Sequence, residues 1–360
     1  MKRFLQIAGG LAISGLALWL TLRGKDLGAI WSAVEGANYV WLAPYVGILA
    51  VIHLTRTLRW GILLEPVAVV PFSRLNAVSA VGFMALMILP FRIGEFARPY
   101  LIAERPKIRV SATLSSVVVE RVADGLFTAL LLVLTLLAVP EGTPGLHLLR
   151  MAGLVVFAIF GALLAFLVVA YRNRALAVRF THRVLDPLSP RIAERASAMM
   201  DAFIHGLRLV PSRSKVVAFF LLTAFYWCLN AWGMSILARA FDLRLSLVQA
   251  FTVLGVLVVG VMIPAGPGMV GTFQAATVLG VSLFVPSEVL DTRGTAYANV
   301  LWAVQLAFTT ALGLFFLFSR HLRIAQIFSA PAQVEEGLEE EEKQYVAEGD
   351  GAPPPDGPTR

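Results

Sequence analysis

The chain has 360 residues, 58% of them hydrophobic and 15% charged, with a net charge of +7 and a mean hydropathy of +0.76. That balance excludes an ordinary soluble domain and reads as an all-α polytopic membrane protein. A single cysteine, Cys228, excludes a disulfide framework and reads as a small packing residue, while the basic residues point to membrane topology and not to nucleic acid.

In chain order, apolar runs predict full spans at 4–22, 39–62, 112–138, 149–171, 215–238 and 296–319, each near the roughly 20 residues that cross hydrocarbon. The first run resembles a signal peptide. Its apolar core is longer than a secretion signal's, and no convincing small-residue cleavage site precedes Arg23, so it is expected to stay as a span. The second span carries His53, Arg56, Arg59 and Trp60 as a polar stripe. The stripe reads as an interfacial anchor with Trp60 at headgroup level, or as the lining of a lipid path.

The region 75–104 is apolar but interrupted, as AVGFMALMILPFRIGEFARPYL. Pro90 removes a backbone donor and Gly94 relaxes the chain, so a membrane helix breaks here. Arg92, Glu95 and Arg98 follow at three-residue spacing and share a helical face. A full crossing would carry these charges through hydrocarbon at several kcal/mol each, which favours a re-entrant hairpin. The set leaves one positive charge free for a phosphate. The plainer reading is a clamp that snorkels to the interface.

Span 112–138 holds Glu120, Arg121 and Asp124. Glu120 and Asp124 lie one turn apart and repel unless a cation from another helix intervenes. Arg56, Arg59, Arg92 and Arg98 are the candidates, with Arg121 expected to project elsewhere. The cluster is either a buried ionic network or a coupling carboxylate site.

Orientation follows from the loops. Residues 171–215 hold nine Lys and Arg against three acids, whereas 139–148 hold none, so the first segment is expected inside and the second outside. The N-terminus, with Lys2 and Arg3, then falls inside. Within the cytoplasmic loop 172–214, Ile192, Ala196, Met199, Phe203, Ile204 and Leu207 recur at helical spacing and predict an interfacial helix or a cap on the bundle.

The second interrupted region, 247–287, contains IPAGPGMVGTFQAA with Pro264, Pro267, Gly268, Gly271 and Gln274. It repeats the earlier spacing P-x-x-x-G-x-F, as Pro267, Gly271, Phe273 after Pro90, Gly94, Phe96. Its returning helix would offer free N–H groups to an anion, beside Gln274. Charge bookkeeping makes it a re-entrant element from the opposite face. The chain then reads as six full spans plus two re-entrant elements in an inverted repeat, with a transport site where they meet. Eight full spans are the alternative. Asn230 and Gln305 read as local hydrogen-bonding residues within spans.

Residues 1–328 therefore form a transmembrane domain. Residues 329–360 carry nine acids against two bases and end in GDGAPPPDGPTR, the composition of a disordered cytoplasmic tail. No metal-ligand spacing, phosphate loop, dinucleotide fingerprint or nucleophile elbow occurs, so neither metal nor cofactor is expected and no catalytic set is assigned.

In combination and order, four stretches resemble the lysylphosphatidylglycerol synthase/flippase transmembrane family. They are RTLRWGILL, VGFMALMILPFRIGEFARPYL, ERVADGL and IPAGPGMVGTFQAA, and the likeness covers about residues 5–325. It implies a membrane domain that moves lipids between leaflets; the expected location is the cytoplasmic (inner) membrane, and the loop charges put both termini inside. Only the acidic tail follows residue 325, so lipid translocation is expected over lipid synthesis. The sequence reading is a flippase-type transporter of an anionic phospholipid or polyprenyl-phosphate-linked lipid, gripped by Arg92 and Arg98. Alternatives are a non-transporting scaffold that recruits cell-envelope biosynthesis proteins and, behind it, a lipid-modifying enzyme using Glu95 or Asp124 as a base.

Overall fold

The computed structural model describes residues 2–89, 94–103, 110–187, 212–263 and 265–319, with isolated positions at 108 and within 333–340. Pro90, Arg92 and Pro264, and the amphipathic segment around Ile192 to Leu207, lie outside the described residues.

Among the described residues every regular element is helical. They are α1 Lys2–Leu22, α2 Leu27–Glu35, α3 Leu42–Leu64, α4 Phe72–Ile88, α5 Ala97–Ala103 and α6 Val110–Leu136. After them come α7 Leu146–Arg172, α8 Arg174–Leu185, α9 Arg213–Ala238, α10 Leu247–Gly260, α11 Thr272–Val281 and α12 Thr295–Ser319. Four helical stretches, 39–64, 146–172, 213–241 and 287–319, are long and apolar enough to cross a membrane. With 27 residues α6 has the length too, but it carries Glu120, Arg121 and Asp124 in its interior. At 14 and 10 residues, α10 and α11 are each shorter than a crossing needs, and α5 has only seven.

Local chemistry fixes several ends. Asp26 caps α2 by accepting from the Gly28 and Ala29 N–H groups at 2.8 and 3.1 Å. Ser246 and Gln249 form a reciprocal capping box at the start of α10.

In a bilayer, helices associate through close packing more than through a hydrophobic drive, so small residues mark the contacts. α3 packs on α9, α4 on α12, and α10 on α6. At these seams Gly233 faces Tyr45 and Ile48, Gly313 faces Met84, and Gly255 faces Leu132. One core gathers around α3, α9, α10 and α12, and a second around Trp60, α4, α5 and Leu317. By contrast α7 presents most of its length to the exterior, with only Leu146, Leu149, Gly153 and Ala170 buried.

Both interruptions fold back on their surroundings. A Cβ on Gly94 would sit 2.2 Å from the Leu86 nitrogen, so the chain after α4 returns tightly against its last turn. The second break has Gly268, Met269 and Gly271 at positive φ, of 72°, 53° and 84°. Side-chain bonds that hold it include Gly266 N–H donating to Ser14 Oγ at 2.9 Å, Trp302 Nε1 to Gly268 O at 2.8 Å, and Gly271 N–H to Gln274 Oε1 at 2.8 Å.

Three details depart from the sequence reading. Cys228 is exposed on the outer side of α9 and does not pack inside. Trp60 is fully buried, its indole N–H donating to Ser116 Oγ at 3.1 Å, so it is no interfacial anchor. Within the acidic tail, residues 333–334 and 336–338 are helical, and Val334 and Leu338 are buried. Val110 lies against Gly337.

Candidate functional site

The site begins with the charges that α6 carries into the bundle. Glu120 is fully buried and accepts from Arg98 Nη1 at 2.9 Å. Asp124 accepts from Arg59 Nη2 at 2.5 Å and from Trp227 Nε1 at 3.2 Å. Arg121 turns back along its own helix and meets both carboxylates, at 3.3 Å to Glu120 and 3.2 Å to Asp124. The sequence reading had Arg121 pointing away. The reversal has a simple cause, because the guanidinium on its long stem reaches both neighbours and relieves their repulsion.

Arg98 comes from α5 only because the first break folds back. Its side chain lies across Gly82 of α4, where a Cβ would come within 2.2 Å of Arg98 Cγ. Its guanidinium stands 5.0 Å from the Trp60 ring and 4.7 Å from the Phe83 ring. At 2% exposure it sits behind the cavity wall. Arg59 is wholly buried, 5.1 and 5.0 Å from the rings of Phe219 and Tyr226. Both cations are thus desolvated, paired and stacked on aromatic faces.

Arg56 differs. Among the described residues it makes no ion pair and no hydrogen bond, and its Nε is buried without a partner. Its guanidinium lies 3.8 Å from the Phe83 ring centre. Glu95 stands within electrostatic reach of Arg121. In all, four guanidiniums, of Arg56, Arg59, Arg98 and Arg121, share three carboxylates, of Glu95, Glu120 and Asp124. Among the described residues that is one cation more than the carboxylates, and Arg56 is the one of the four with no ion pair.

Beside this network lies a cavity of about 530 Å3. Arg56, Glu95, Arg121 and Asp124 reach its wall on one side. Asn230, Gln305 and Thr309 stand among apolar side chains elsewhere on it. Residues at both interruptions line it, Glu95 and Phe96 after the first, Met262, Met269 and Phe273 around the second. An apolar hollow with a few convergent polar groups is the usual form of a small-molecule site.

Not all of the expected residues converge here. Gln274 is 2% exposed and spends its side-chain oxygen on the Gly271 N–H, so it caps α11 and does not line the cavity. Pro267, Gly268 and Gly271 shape the second break, as Gly94 shapes the first. Asn230 donates to Tyr226 O at 2.8 Å and Gln305 to the Tyr45 hydroxyl at 3.0 Å, local bonds of the kind expected. Phe83, Tyr226 and Trp227, which escaped the sequence reading, stack on or donate to the charged groups. Aromatic residues inside apolar runs carry no mark that separates such partners from packing.

No curated protein and no solved structure matches the chain. The family model described as lysylphosphatidylglycerol synthase TM region matches residues 7–313, the stretch that holds both interruptions and all the charged residues of the cavity. The chain belongs to that family, and is an integral membrane protein with a lipid-related role.

Proposed function

We propose that the protein moves an anionic lipid between the leaflets of the cytoplasmic membrane, its headgroup entering the cavity and its chains staying in the bilayer. The observation that carries this reading is Arg56, a cation with no ion pair among the described residues, set in a hollow that both helix interruptions line. A phosphate there would neutralise the excess charge and take up guanidinium donors that are costly to leave unmade in a low-dielectric setting. Arg121, which is 29% exposed, offers a second contact. Arg92 and Arg98 stay in the proposal with different parts: Arg98 holds the returning arm to Glu120, and Arg92 remains a candidate grip.

The reading extends to topology. The contacts pair corresponding elements crosswise: the opening spans α3 and α9 with each other, α4 with α12, and α10 with α6. Such an exchange supports two inverted repeats, each made of a span, a re-entrant pair and a closing span. The basic loop and both termini are then cytoplasmic. Membrane lipids are the partners, with cell-envelope biosynthesis proteins as further candidates through the acidic tail.

The test is translocation of fluorescent phosphatidylglycerol in proteoliposomes. Arg56→Ala is expected to abolish most of the transport while leaving the folded yield unchanged, and Arg56→Lys to keep part of it. Equal rates for Arg56→Ala and the native protein would overturn the assignment.

A further inference from the structure

A second hollow lies on the opposite face of α6 from the polar cavity. It is a groove of about 360 Å3, floored by α6 and the end of α3 and walled by α7 and α9. Leu63, Ala123, Leu126, Leu164, Val168 and Phe220 represent its lining, which is apolar almost throughout. Ser115 and Ser116 reach it too, but their hydroxyls donate to Ser111 O and Thr113 O, each at 2.7 Å, and Ser116 also receives the Trp60 indole. The floor therefore has no free hydroxyl donor to offer a polar ligand. Leaving polar groups unmatched there costs free energy, and hydrocarbon does not.

The rim has the opposite character. α7 ends at Arg172 and α9 begins at Arg213, both exposed. Lys215 and Glu65 pair across the start of α9 and the end of α3, so their charges cancel. Arg172 and Arg213 make no ion pair among the described residues, and they stand at the ends of α7 and α9, close in the chain to the groove residues Tyr171 and Val216. Tyr171, next to Arg172 in the chain, lines the groove, as an aromatic residue at an interface does.

We infer that this groove is a resident-lipid site: one acyl chain lies between α7 and α9, with the phosphate of an anionic phospholipid at Arg172 and Arg213. The placement gives the lipid a structural task. α7 packs on α6, on α8 and on the edge of α10, and a chain in the slot would fill the gap between it and α9. The site does not depend on transport. The Arg59–Asp124 and Arg98–Glu120 pairs and the body of α6 stand between it and Arg56.

The experiment uses the full chain purified in detergent, with native mass spectrometry to count retained phospholipid. Thermal unfolding is followed with added dioleoylphosphatidylglycerol or dioleoylphosphatidylcholine. The native protein is expected to keep one phospholipid and to gain more thermal stability from the anionic probe. Ala123→Trp or Leu164→Trp, each filling the slot from a different helix, should lose both the retained lipid and the shift. Arg172→Ala combined with Arg213→Ala should keep a shift but lose the preference for the anionic probe. Arg56→Ala should retain the lipid. Three outcomes would overturn the site: no retained lipid in the native protein, unchanged retention in a folded slot-filled variant, or loss of the lipid with Arg56→Ala instead.

Discussion

At the scale of single residues, the arginines around the polar cavity divide by what surrounds them. Arg59 and Arg98 are buried at 0% and 2% exposure, each against a carboxylate and aromatic rings. Removing one partner of such a pair strands the other charge, at about 3–5 kcal/mol. Arg98→Ala is therefore expected to lower thermal stability in detergent by that order, and Arg98→Met with Glu120→Gln to recover part of it. Simple additivity of the two single changes in a double-mutant cycle would show that the pair is not coupled. Arg56 should behave in the opposite way. It has no ion pair among the described residues, so Arg56→Ala should leave the unfolding midpoint unchanged or raise it. The sequence supplied the charged residues and the need for partners, but not which arginine stayed free. That choice depends on Gly82, which gives Arg98 room to cross α4 and reach Glu120.

At the scale of elements, the two interruptions carry the fold. Gly94 touches backbone of the preceding helix and Gly271 combines a φ of 84° with a Cβ position only 2.2 Å from Ser14 O, so a side chain fits at neither. Gly94→Val and Gly271→Ala should each reduce the yield of folded protein, scored by size-exclusion profile. Gly161→Ala on α7, where nothing lies within 4 Å of an added Cβ, should be neutral or stabilising by about 0.5–1 kcal/mol, as expected of a helix interior. Ser14 was invisible as a partner in the sequence, where it sits in a plain apolar run. Its hydroxyl accepts the Gly266 N–H, and loss of that bond in Ser14→Ala should cost about 1–3 kcal/mol because the donor is buried. Proline and glycine thus announced the breaks. The helix that steadies the second one left no trace, since a long-range contact has no local signature.

At the scale of the molecule, composition was enough for an all-helical membrane protein, and four of the six spans read from the sequence stand out in the structure as long, apolar helices. The run read as span 112–138 forms α6, which has the length to cross but carries three charges in its interior, where the site is built. The proposed topology makes its own prediction. Cysteine introduced at Thr143 should react with an impermeant reagent from outside intact cells, and cysteine at Ser212 only after permeabilisation. The central claim is that both interruptions border one lipid path, and it is tested most directly by blocking that path from either side. With Cys228 replaced by Ser, single cysteines at Phe96 and at Met262 are modified with a bulky thiol reagent in proteoliposomes, and lipid translocation is measured. The account predicts that modification at each position stops transport and that excess anionic lipid slows the modification at both. Full transport after complete modification at either position would contradict it.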